Sequence, residues 1–271
     1  MSSGVFVKTG AALSPPGLPA INPATVLKSF NTWAFKREQP TEPDLLLRTI
    51  ATAAANKAPL KFVLYWGKGP RSSSCEPESA CLDFLAQMLK RVAAAYPYGT
   101  RMTLIQTDTH AVHNGHCATS INAYFADVTA AASERGFPTC LLSGVVRAAN
   151  IEPGKVRDQL TPETLAKLKL CAAKWYRGEG SSEVGAKQYF MLNMIEKRAI
   201  EALFPDSIFI TFNGHEFREL FPQRLPVFYM YSMRKGSSVK PWFEAGKVSK
   251  EPRPAIGAHA ATQERERAPA L

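Results

Sequence analysis

The chain has 271 residues, of which 45% are hydrophobic, and its 33 Lys and Arg against 23 Asp and Glu give a formal net charge of +10. This length and apolar content suffice for one sizeable core, so we expect a single folded domain. No run of about 18 apolar residues occurs, and the N-terminus lacks a basic segment followed by an apolar one. The sequence therefore predicts no membrane span and no secretory signal, and a cytoplasmic location is expected.

The positive charge favours anionic ligands, which range from phosphorylated metabolites to nucleic acid. The basic residues are spread along the chain rather than gathered in a long run, which argues against a dedicated nucleic-acid surface. The cysteines are odd in number and form no Cys-x-x-Cys pair, so reduced thiols are expected rather than a disulfide framework. Their positions are Cys75, Cys81, Cys117, Cys140 and Cys171.

Helices and apolar strands alternate over the first half of the chain. Residues 1–23 are rich in proline and small side chains and are expected to be an extended lead-in. The spacing of apolar residues predicts helices at 24–35, 41–57, 78–96 and 118–136. Runs of strand-forming residues predict strands at 60–66, 101–107 and 137–146. Because these strands are apolar throughout and alternate with helices, we predict an α/β fold with a Rossmann-like, mostly parallel sheet and helices on both faces.

The second half of the chain continues the same pattern. It predicts helices at 161–178 and 182–204 and strands at 206–212 and 225–232. From residue 247 onward the sequence is poor in large apolar side chains, which is typical of a disordered tail. The predicted organisation is a lead-in at 1–23, one α/β catalytic domain at 24–246 and a disordered tail at 247–271.

The loop "WGKGPRSSS" follows the first predicted strand, where ligands bind in open parallel sheets. Its glycines allow close backbone approach, and Lys68 and Arg71 are suited to neutralise a phosphate. It is not a P-loop, because the GxxxxGK[ST] spacing is absent, and a solvated loop without a ligand is the alternative interpretation.

The stretch "TDTHAVHNGH" follows the second predicted strand and contains three of the five histidines. A metal site, an ordinary polar turn and a catalytic or substrate-binding loop are all compatible with it. His110 and His113 can share a helical face, but the Asn114-Gly115 pair favours a turn before His116, so we predict no metal here. Asp108 favours the catalytic interpretation, because a carboxylate at the end of a central strand can act as a base or orient a histidine. We therefore place Asp108 and His110, together with Lys68 of the preceding loop, among the catalytic candidates, and Asn114 and His116 among the substrate-binding ones.

Several aromatic residues are candidates for the wall of a substrate pocket. Trp66 and Trp242 stand at predicted strand or turn boundaries, and Tyr189 lies within a predicted helix. Each also fits an ordinary place in the core, which the sequence alone leaves open.

The segments "KFVLYWGKGPR", "FLAQMLKRVAAAYPYGTRMTLIQTD", "LFPDSIFITFNG" and "KPWF" occur in an order that resembles the isonitrile (isocyanide) synthase family. The similarity spans roughly residues 58–243. It places Lys68 on the family's loop lysine, Asp108 on its strand-end aspartate and Trp242 on its Pro-Trp. The chain departs from the family at "THAVHNGH" and at "FNG", which leaves open a different substrate and even a different reaction.

The resemblance implies an enzyme of specialised metabolism that needs no metal or redox cofactor. Such an enzyme joins the amine of an amino acid to ribulose 5-phosphate and leaves an isonitrile carbon. The implied roles are a phosphate site at Lys68 and Arg71, an ammonium contact at Glu76, and acid–base work at Asp108 and His110. Trp66 and Trp242 would then enclose the side chain of an aromatic amino acid.

Two other functions stay open at this stage. The strand-end Asp-Thr-His also resembles the tRNA-dependent cyclodipeptide synthases, whose helical Tyr and Glu are matched here by Tyr189 and Asn193, and tRNA would then be a partner. A binding protein without catalysis on the same fold is the third possibility.

Overall fold

The computed structural model describes residues 21–67, 76–151, 160–231, 233–234 and 237–238. Lys68, Arg71 and Trp242 lie outside these ranges, as do the predicted tail and nearly all of the lead-in. The division of the chain into lead-in, domain and tail therefore stays a prediction.

The helices and strands follow one another in the alternation that the sequence predicts. The helices are α1 (Pro23–Phe30), α2 (Pro43–Ala55), α3 (Glu76–Ala95), α4 (Asp108–His113), α5 (Ala118–Ser133), α6 (Leu142–Ala149), α7 (Pro162–Trp175) and α8 (Ser182–Leu203). The strands are β1 (Leu60–Trp66), β2 (Thr100–Gln106), β3 (Thr139–Leu141), β4 (Ser207–Thr211), β5 (Val227–Tyr229), β6 (Met233–Arg234) and β7 (Ser237–Ser238). A 3₁₀ helix covers His215–Leu220.

Five strands form one sheet in the order β3-β2-β1-β4-β5, and all neighbours in it are parallel. β1 pairs with β2 along its whole length, from Leu60 opposite Thr100 to Trp66 opposite Gln106. On its other side β1 pairs with β4, which comes much later in the chain. β6 and β7 form a separate antiparallel pair. This order confirms the predicted Rossmann-like parallel sheet.

Apolar side chains cover both faces of the sheet, as the predicted sandwich requires. Phe62, Leu64 and Trp66 of β1 belong to a core cluster that includes buried residues of α1, α2, α3 and α5. Val63 belongs to a second cluster built with α6, α7 and α8, and Tyr65 packs against it. The alternation along β1 thus sends neighbouring side chains into opposite layers.

Several boundaries differ from the sequence prediction. The helix expected over 24–35 ends at Phe30 and is followed by turns. The strand expected over 137–146 is strand only at β3, and α6 begins directly afterwards, because a short apolar run suits a buried helix as well as a strand. The strand expected over 225–232 is regular at β5, beyond which Met230 forms a single antiparallel bridge with Lys36.

Over the ranges given above, no helix is long and apolar enough to cross a membrane.

Candidate functional site

A small cavity lies where the chain leaves β1 and β4 at the carboxyl edge of the sheet. This is the point at which the strand order changes direction, since β1 connects onward to β2 on one side while β4 pairs on the other. Ligands of open α/β sheets bind at such points. The cavity has a volume of about 30 Å³, which is room for one water molecule, and an amino acid would enter only if the walls moved. Its lining comprises Leu64, Tyr65, Gly67, Tyr189, Asn193, Ile210, Thr211, Phe212, Asn213 and Phe221.

The backbone at the ends of the strands brings α4 next to this cavity. The N–H of Thr107 donates to the carbonyl of Trp66 at 3.1 Å, which continues the β1–β2 pairing past both strands. Gly67 has φ +72°, a conformation that favours glycine and turns the chain away from β1. α4 then begins at Asp108, one residue after the end of the pairing.

The histidine stretch is a short helix with a turn rather than an open loop. α4 ends at His113, and the N–H of Asn114 donates to the carbonyl of His110 at 2.9 Å. Gly115 has φ +86°, and a Cβ there would lie 3.0 Å from the carbonyl oxygen of Arg177. The predicted break at Asn114-Gly115 is therefore confirmed, and it separates His116 from the helical face that carries His110 and His113.

His110 forms a buried pair with Glu196 of α8. Its Nε2 lies 2.5 Å from the Glu196 Oε2, and both side chains are 1% exposed. The other carboxylate oxygen of Glu196 accepts a hydrogen bond of 2.7 Å from the hydroxyl of Thr109. The Nδ1 of His110 is buried and has no hydrogen-bond partner among the residues that the structure describes.

Aromatic rings surround the pair and connect it to the cavity. The Tyr189 ring stands edge-on to His110 with centroids 5.2 Å apart, and the Tyr65 ring lies 6.1 Å away. Both tyrosines line the cavity. Burial, then the charge of Glu196 and the neighbouring Tyr189, raises the pKa of the Tyr65 hydroxyl well above its usual value. Tyr65 is therefore a neutral hydrogen-bond donor at physiological pH.

His113 continues this aromatic cluster away from the cavity. Its ring lies 4.9 Å from Tyr176 and 6.1 Å from Tyr189. Burial, followed by the adjacent His110, lowers the pKa of His113. Burial also lowers the pKa of the half-buried His116. Both effects favour neutral imidazoles.

Asp108 and His110 are not in contact as a pair. The Asp108 Oδ1 accepts a hydrogen bond of 2.9 Å from the backbone N–H of Ser143, in the first turn of α6. Asp108 thus caps a neighbouring helix with one oxygen, an arrangement that satisfies an N–H with no partner inside its own helix. Its catalytic role stays a prediction.

Among the other predicted site residues, Tyr189 and Asn193 line the cavity and Trp66 belongs to the core. Tyr189 lines the cavity, and Asn193, one turn later on α8, donates from Nδ2 to the Tyr189 carbonyl at 2.7 Å. Trp66 is fully buried in the opposite layer of the core and does not line the cavity, so the neighbouring Tyr65 takes the place expected for it. Glu76 is the first residue of α3.

Sequence reasoning missed Glu196 and Tyr65. Glu196 lies on the buried stripe of α8 at helical spacing from Tyr189, Asn193 and Ile200. A buried carboxylate on a mostly apolar stripe is the signal that could have identified it. Nothing in the local sequence distinguishes Tyr65 from the other residues of its apolar strand.

A larger groove runs along α8 beside the aromatic cluster. Its volume is about 920 Å³, in the range of small-molecule sites. Apolar side chains dominate it, with His113 at one side. The lining comprises His113, Leu160, Thr161, Pro162, Leu165, Lys187, Gln188, Phe190, Met191, Leu192 and Ile195.

One group of potential metal ligands is found within the described part of the chain. It consists of Glu38, His215 and Glu216, whose ligand atoms lie within 4.8 Å of one another. Glu38 already accepts hydrogen bonds from the backbone and the Nδ1 of His215 at 2.7 and 2.8 Å. The histidines of the α4 region are not part of this group.

Comparison with known proteins gives a match of fold. Neither a protein-family model nor a curated protein sequence matches the chain. The structure is similar to that of the PvcA protein from Pseudomonas aeruginosa, with a TM-score of 0.57 and 18% sequence identity, over 81% of this chain and 87% of that one. The cyclodipeptide synthase AlbC from Streptomyces noursei is matched over 56% of this chain and 82% of that one, with 15% identity and a TM-score of 0.34, which is too low to support an argument. The chain therefore shares the fold of PvcA.

Proposed function

We propose that the protein is an isonitrile-synthase-like enzyme of natural product biosynthesis, which converts the amine of an amino acid into an isonitrile with ribulose 5-phosphate as carbon donor. PvcA is an isonitrile synthase, and the shared fold agrees with the resemblance in the sequence motifs. The net charge of +10 suits a phosphorylated substrate.

The observation that carries this proposal is the cavity between β1 and β4, with a buried acid–base pair directly behind its wall. Imine formation between an amine and a ketone requires proton transfers in both directions. His110 and Glu196 supply groups that gain and lose protons, while Tyr65 donates a hydrogen bond from a neutral hydroxyl. These groups support the proposal, since the reaction needs acid–base chemistry of this kind.

The remaining roles follow the motif resemblance. Lys68 and Arg71 bind the phosphate dianion, and Glu76 holds the substrate ammonium. Asp108 acts with His110 in proton transfer, and its second carboxylate oxygen is the one that remains for this role. Asn114, His116 and Tyr189 contact the substrate, and Trp242 contributes to the pocket for its side chain, whereas Trp66 belongs to the core.

The test is incubation of the purified protein with pooled amino acids and ribulose 5-phosphate, followed by mass spectrometry for an isonitrile product. Omitting either substrate should abolish the product, and His110→Gln should reduce it. A full set of amino acids that yields no isonitrile with a folded protein would refute the proposal.

A second candidate function has one observation in its favour. Tyr189 and Asn193 are one helical turn apart and both line the cavity, which is where the cyclodipeptide synthase resemblance places its helical Tyr and Glu. A cyclodipeptide formed from aminoacyl-tRNA, with tRNA copurifying, would favour this alternative over the first.

A further inference from the structure

The pair of His110 and Glu196 is costly for the fold to maintain. Both side chains are 1% exposed, and burying ionised groups costs several kcal/mol each even when they are paired. Apolar residues of similar size commonly give equal or greater stability at such places. A pair retained under these conditions points to a role in chemistry rather than in stability alone.

The hydrogen bonds of Glu196 define how the imidazole can be protonated. Oε1 accepts from the Thr109 hydroxyl, and when Glu196 is ionised its Oε2 accepts from His110 Nε2. If Nε2 carries the proton that is donated to Glu196, a neutral His110 has its free lone pair on Nδ1. That atom is buried without a partner among the described residues. His110 does not itself line the cavity, so a substrate group reaches Nδ1 only when the cavity walls move.

We propose that Glu196 and Thr109 are positioning residues that hold His110 with its Nδ1 lone pair ready to accept a proton from substrate. The Nδ1 lone pair takes the proton of a substrate N–H or O–H, whose bonding electrons remain on the substrate atom. The imidazolium so formed keeps its Nε2–H on the Glu196 carboxylate and returns the Nδ1 proton in a later step. The inference rests on the proposed function for the identity of the substrate, but not for the state of the imidazole.

The groups that face His110 come from three elements. Glu196 and Tyr189 approach from α8, Tyr65 from β1, and Thr109 and His113 from α4 itself. The Glu196 carboxylate is the anion that stabilises a proton on His110, while His113 opposes a second positive charge beside it.

The test is the pH titration of the full-length protein labelled with ¹⁵N-histidine, read by NMR, with His110→Gln used to assign the resonances. We expect neutral His110 to have a protonated Nε2 and an unprotonated Nδ1. Glu196→Gln should abolish this preference, and it should reduce turnover about a hundredfold.

Controls separate this inference from loss of folding and from the proposed function. Glu183→Gln removes an exposed carboxylate from the same helix and should change neither the His110 resonances nor turnover. If Glu196→Gln is unfolded, Thr109→Val retains the carboxylate and should weaken the tautomer preference in the same direction. A neutral His110 with its proton on Nδ1 in the wild type overturns the inference whatever the reaction. A wild type that forms no isonitrile but shows the expected imidazole refutes only the proposed function.

Discussion

The sequence and the structure point to different roles for Asp108. The motif resemblance assigns it acid–base work, whereas its Oδ1 accepts the backbone N–H of Ser143. One carboxylate can do both, since the two oxygens accept hydrogen bonds independently. Substitution by an amide separates the roles, because it retains much of the hydrogen bonding and removes the charge.

We expect Asp108→Asn to lower turnover by about a hundredfold, because the amide cannot accept a proton. The protein should stay folded, with a loss of about 1 kcal/mol at most from a weakened cap. Turnover and melting temperature, measured on the same preparation, distinguish a catalytic role of Asp108 from a capping role. A folded variant with the wild-type rate would mean that Asp108 only caps α6.

His113 and His116 predict how stability responds to acid. Burial lowers the pKa of both in the folded protein, so below about pH 6.5 the unfolded chain takes up protons that the folded chain does not. Unfolding is therefore favoured as the pH falls through this range. The loss of melting temperature between pH 7.5 and 5.5 should be smaller in His113→Gln and His116→Gln than in the wild type, and smallest in the double variant. An identical loss in all four proteins would contradict the assignment.

At the level of elements, two glycines differ in backbone conformation. Gly144 is helical within α6, whereas Gly67, directly after β1, has a positive φ. Gly144 lies inside α6, and a Cβ added there would meet no atom within 4 Å. Gly67 has φ +72°, which other residues adopt only with strain. The same substitution is therefore expected to have opposite signs at the two positions.

Gly144→Ala should raise the free energy of unfolding by up to about 1 kcal/mol, because alanine loses less backbone entropy in a helix. Gly67→Ala should lower it by about 1 kcal/mol through strain. Urea denaturation of both variants beside the wild type gives the two differences. Equal shifts of the same sign would show that backbone conformation does not govern these sites.

A comparison of predicted and observed elements shows what local sequence patterns can predict. β1 at residues 60–66 was predicted to the residue, and the predicted second strand, 101–107, is displaced by one residue from β2. β3 and α6 were merged into one strand, because an apolar run carries no period that distinguishes the two. The contact between His110 and Glu196 could not be predicted from local sequence, because the two residues are 86 positions apart and are brought together only by the packing of α4 on α8.

At the scale of the whole molecule, the fold was predictable because alternation of helices with apolar strands is a property of the entire chain. The site was predictable only in part. Parallel strands end at a common edge, which correctly indicated where α4 and the cavity lie. Which face each side chain occupies depends on the pleat of β1, and this is why Tyr65 rather than Trp66 lines the cavity.

The position of β1 in the middle of the sheet also has a consequence for synthesis on the ribosome. Its β2 partner follows within 40 residues, but its other edge is covered only by β4, about 140 residues later. At ordinary rates of translation that interval lasts on the order of ten seconds. Throughout it, a nascent chain presents an apolar strand with an open edge, which is the kind of surface that chaperones bind and that drives misassembly between neighbouring chains.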